Sequence, residues 1–157
     1  MQLNLGMILR ESADSRPDHI AIRMGERTLD YAEVDRKARG FATALRNRGI
    51  EPGEKVAIMI PNVPEFTIVY FGILYAGCTA VPINVLLSAP EITYHLQDSD
   101  SRLLIAHPFF RDSVQQGASG ADVPIIWSDG DADDCLGSMT PARRWKTCTR
   151  PCRQTPR

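Results

Sequence analysis

The chain has 157 residues, an apolar share of 43%, a charged share of 24% and a net charge of −1, the profile of a globular domain large enough to bury a core. A charge this balanced gives no support for nucleic acid or acidic lipid as a partner. The balance hides a division, because residues 1–136 carry 12 Lys/Arg against 19 Asp/Glu while residues 137–157 carry 6 Lys/Arg and no acid.

From the amino terminus, Met1–Arg10 lacks the charged start, apolar middle and small-residue cleavage site of a secretory signal. Residues 7–13 suit a first helix. Ile20 and Ile22 alternate with Ala21 and Arg23, which predicts a strand over 19–24, a turn at Gly25-Glu26 and a short return strand over 27–29. Asp30 with Glu33 three positions on reads as a capping box. Tyr31, Val34, Ala38, Phe41 and Leu45 then give one apolar helical stripe, stopped by Gly49.

The unbroken apolar run Val56–Ile60 predicts a strand buried on both faces, as parallel sheets require. Asn62 with Glu65 repeats the cap spacing and predicts the start of a helix over 65–76, apolar almost all round and so central. Strands follow over 79–83, 102–106 and 123–127. Between them come a helix capped by Ser88 and Glu91 and a helix over 109–116. Alternation of this kind, with short connections, predicts an α/β fold whose mostly parallel sheet is flanked by helices. Residues 66–87 hold no charged side chain and are long enough to span a bilayer. Gly72, Gly77, Pro82 and Asn84 interrupt them, so a buried helix leading into a strand is expected and integral membrane insertion is not.

No residue pattern names an active site. Asp129, Asp131 and Asp133 begin like a calcium loop, but Asp134 and Thr140 stand where its Gly and Glu belong. Cys135, Cys148 and Cys152 form no CxxC, and His19, His95 and His107 lie far upstream. Gly117–Ala121 lacks the Lys-Ser/Thr of a phosphate loop and reads as a flexible connector. His95 reads as a surface or hydrogen-bond-satisfied histidine, and Cys78, alone in an apolar stretch, as a buried thiol. Catalytic, cofactor-binding and metal residues are all expected to be absent. The few cysteines fit a reducing, cytoplasmic setting.

Two stretches carry a family resemblance. Leu29-Asp-Tyr-Ala-Glu-Val34 resembles the first core motif of adenylate-forming enzymes, and Leu74-Tyr-Ala-Gly-Cys-Thr-Ala-Val-Pro-Ile-Asn84 resembles the second. The text from Gly49 to Phe66 between them, and Ala89–Ser99 after them, is similar to AMP-forming acyl-CoA synthetases of the fatty-acid–CoA ligase kind. The resemblance runs from about Leu5 to Trp127. It implies that residues 1–130 are the amino-terminal portion of an AMP-binding ligase domain; residues 131–157 fall outside it, and because the text from Gly137 on has no helical or strand period that could bury a face, they are expected to be an atypical, disordered tail. Full-length relatives are implied to join a carboxylic acid to CoA through an acyl-adenylate, using ATP, Mg2+ and CoA. The phosphate loop and the lysine that this chemistry uses are not found here. The chain alone is therefore expected to be an inactive, truncated ligase-like protein, with the abrupt change near Asp134 reading as a frame change or premature end. The alternative is a non-catalytic module that pairs with or regulates another polypeptide. A complementing chain, or self-association through open sheet edges, is the expected partnership, with a fatty acid as substrate only in full-length relatives.

Overall fold

The computed structural model describes residues 4–128. The chain runs α1 (Gly6–Ser15), β1 (Ile20–Met24), β2 (Arg27–Asp30), α2 (Tyr31–Asn47), β3 (Lys55–Met59), α3 (Pro64–Tyr75), β4 (Thr79–Pro82), α4 (Ala89–Asp98), β5 (Leu103–Ala106), α5 (Arg111–Ala121) and β6 (Ile125–Trp127). The strands β1 and β2 form an antiparallel hairpin. The other four make a parallel sheet in the order β4-β3-β5-β6, as the α/β reading requires.

The start of α2 follows the sequence closely. The Asp30 carboxylate accepts the Glu33 amide at 2.7 Å, and the Glu33 carboxylate accepts the Asp30 amide at 3.2 Å. Two amides that the helix leaves without partners are thereby satisfied. Val34, Ala38, Phe41 and Leu45 are buried along the predicted stripe. Gly49 takes φ +78°, and the Ile50 amide turns back to the Leu45 carbonyl at 3.1 Å. That closure needs a left-handed residue, which glycine supplies without a Cβ clash.

The pleat divides β3 between two layers. Val56, Ile58 and Ile60 pack with Phe41 and Leu45 of α2 and with Val69 and Ile73 of α3. Ala57 and Met59 face the other way, against Ile92 and Leu96 of α4 and Val114 and Ala118 of α5. Both faces of the strand are dry, which explains its unbroken apolar text. Each large side chain buried this way contributes about 1.5–3 kcal/mol of transfer free energy. Helix α3 also reaches a third cluster, where Ile68 meets Leu9, Leu29, Val34 and Ala38. Its all-round apolarity thus reflects a position between the sheet and the hairpin side of the molecule. Gly72 makes the crossing with α2 possible, since a Cβ there would stand 2.8 Å from Phe41 Cδ1 and 2.9 Å from the Ala38 carbonyl oxygen.

Three local readings change. Asn62 does not cap α3: Val63 is the capping residue, it makes no side-chain cap bond, and Pro64 opens the helix. Proline fits there because its missing N–H is one the first turn could not use. Residues 117–121 are no connector but the last turns of α5. Glycine persists in that helix because α4 lies against it: a Cβ on Gly117 would come within 2.6 Å of Ile92 Cβ, and one on Gly120 within 2.7 Å of Thr93 Oγ1. Finally, the strand read over 123–127 spans only Ile125–Trp127, at one end of the described sheet, with Ile126 buried and Ile125 and Trp127 half-buried.

The uncharged run at 66–87 divides between α3 and β4, as expected. No helix among the described residues is long and apolar enough to cross a membrane. The aspartates from 129 onward, Cys135, Cys148 and Cys152, and the tail assigned to 131–157 lie outside the described residues.

Candidate functional site

In an open parallel sheet, ligands collect at the carboxyl ends of the strands where the winding direction reverses. Here the chain leaves β3 through α3 to β4 on one side, then returns through α4 to β5 on the other. The reversal therefore lies between β3 and β5. Pro61 and Asn62 follow the first strand, and His107 and Pro108 follow the second.

His107 is fixed in this crevice by its backbone and its ring. Its amide donates to the Met59 carbonyl at 3.0 Å. Its Nδ1 accepts the Phe109 amide at 3.2 Å, which leaves Nε2 as the protonated nitrogen of the neutral ring. The ring lies edge-on to Phe110, with centroids 6.5 Å apart. Beyond it, Pro108–Ser113 lines a shallow, open depression. Phe109 stands 82% exposed at its rim. Arg111 places its guanidinium 4.4 Å from the Trp127 ring centroid, a cation–π stack. Behind the strands, Ser128 donates its hydroxyl to the Ala106 carbonyl at 3.4 Å.

This edge offers aromatic faces, one guanidinium and one imidazole N–H. Such groups can rest against a flat or anionic surface. The Nδ1 of His107 is engaged by the Phe109 amide. Among the described residues no group of three or more His, Cys, Asp or Glu side chains converges, and the glycines at 117 and 120 are committed to helix packing.

The remaining candidates have structural surroundings. His95 is exposed in the last turn of α4, edge-on to Tyr94. Cys78 is 5% exposed and donates its thiol to the Glu51 carbonyl at 3.3 Å. Burial first, and the Glu54 carboxylate second, hold its thiol above the usual range. Sequence reasoning missed a polar network on α2. The Tyr75 hydroxyl donates to Asp35 Oδ1 at 2.6 Å, and Arg39 Nε donates to Asp35 Oδ2 at 2.6 Å. Burial, then the Asp35 bond, push the Tyr75 phenol well up. The Asp35–Arg39 spacing of four was legible as a helical ion pair, but its tyrosine partner comes from another helix.

A family model described as AMP-binding enzyme matches residues 9–154. The chain is 35% identical over 118 residues to a feruloyl-CoA synthase of an Amycolatopsis species, covering 75% of this chain and 24% of that protein. It is 31% identical over 146 residues to the long-chain-fatty-acid–CoA ligase FadD13 of Mycobacterium tuberculosis, covering 92% of this chain and 28% of that one. The crystal structure of a benzoate CoA ligase from Burkholderia xenovorans LB400 superposes with a TM-score of 0.79 at 26% identity, over 96% of this chain and 31% of its own. The chain thus spans less than a third of each of these relatives.

Proposed function

The chain belongs to the AMP-binding enzyme family, and from that membership we propose that it forms the amino-terminal scaffold of an acid–CoA ligase and does not adenylate an acid by itself. One observation carries the reading: the family-like residues serve as framework. Asp30 and Glu33 cap α2, Gly77 turns α3 into β4 at φ +81°, and Thr79–Pro82 pairs with β3. In relatives of full length the same frame supports activation of a carboxylic acid with ATP, Mg2+ and CoA. A fatty or aromatic acid is the substrate class this reading favours, in a cytoplasmic setting, and the rest of the machinery comes from residues this chain does not hold.

The 157-residue chain, purified and mixed with ATP, Mg2+ and a panel of fatty and aromatic acids, is expected to release no pyrophosphate above a protein-free control. Acid-dependent release would overturn the proposal. A second reading, a non-catalytic module that pairs with another polypeptide or with a second copy, rests on the short span of the relatives that the chain covers. It predicts that the tagged chain retains a ligase-like polypeptide or a second copy of itself at native expression levels. Recovery of the chain only as a lone monomer would count against it.

A further inference from the structure

We draw no further inference here: the strongest candidate, the exposed apolar side chains Leu5 and Ile8 at α1 with Ile20 and Met24 on β1, carries none because nothing in the structure shows what covers them.

Discussion

Arg27, on the second strand of the hairpin, sets its Nη1 2.6 Å from Oε1 of Glu65, a buried residue in the first turn of α3. The contact joins the hairpin to the helix that bridges the cores. Removing one partner of a fully buried pair costs about 3–5 kcal/mol. Arg27 is partly open to water, so Arg27→Met is expected to cost less, about 2 kcal/mol. Glu65→Gln in the Arg27→Met background should recover part of that loss by removing the stranded charge. Urea midpoints of the wild type, Arg27→Met, Glu65→Gln and the double variant check this, and additive losses in the double variant would show that the pair is not coupled.

At the α4–α5 crossing, Gly117→Ala must push its new methyl into Ile92 Cβ and the Ala89 carbonyl, 2.6 and 2.9 Å away. A backbone oxygen cannot swing aside, so overpacking of about 2 kcal/mol is expected, in spite of alanine's better helix propensity. Gly120→Ala meets only the Thr93 side chain. Its loss should be smaller, because a rotamer change relieves it. Thermal unfolding of both variants decides the order. Equal midpoints would mean that the helices part without cost.

Acid should act through the cap of α4. Glu91 accepts the Ser88 hydroxyl at 2.6 Å and the Ser88 amide at 2.8 Å. These bonds, the hydroxyl's first, hold the Glu91 carboxyl below its usual range. A carboxyl depressed in the folded state adds stability that is present above its unfolded pKa, about 4.3, and is lost as pH falls through the lower folded value. Ser88→Ala removes the larger cause. The variant should lose stability at neutral pH and show a shallower further loss between neutral and acidic conditions. Urea unfolding across that range tests it, and parallel pH profiles for the two proteins would refute the assignment.

Cys78 should report on the core. Its thiol is buried, bonded to the Glu51 carbonyl and held above the usual range, and only the thiolate reacts readily. In a variant with Cys135, Cys148 and Cys152 replaced by serine, maleimide labelling is expected to be slow in buffer and fast in denaturant. Rapid labelling of the folded protein would show that the strand-to-turn region around Cys78 opens freely.

Two of the three helix starts were legible because a capping box is a local device. Asp30 with Glu33, and Ser88 with Glu91, need only a spacing of three. Asn62 and Glu65 share that spacing, yet Glu65 is taken by Arg27 from 38 residues away, and no local rule sees a partner that distant. The same limit explains α5. Val114, Ala118 and Ala121 continue its small apolar period, but the glycines between them look like a loop until Ile92 and Thr93 are placed against them. Strand content could be read from apolar runs, whereas the order β4-β3-β5-β6, and with it the crevice at His107, depends on packing between helices that are remote in sequence. The family itself was legible because its first two motifs spell out turns and caps.

The division of β3 between two packed layers makes its length unforgiving. Val56 and Ile58 belong to the cluster with α2 and α3, while Ala57 and Met59 belong to the cluster with α4 and α5. A single residue inserted between Lys55 and Met59 would shift the downstream half of the strand by one pleat, exchanging the side chains that face the two helix layers. Gene variants of this length class should therefore abolish folding when they fall in this strand, yet be absorbed at the Gly25-Glu26 hairpin tip, which belongs to neither cluster.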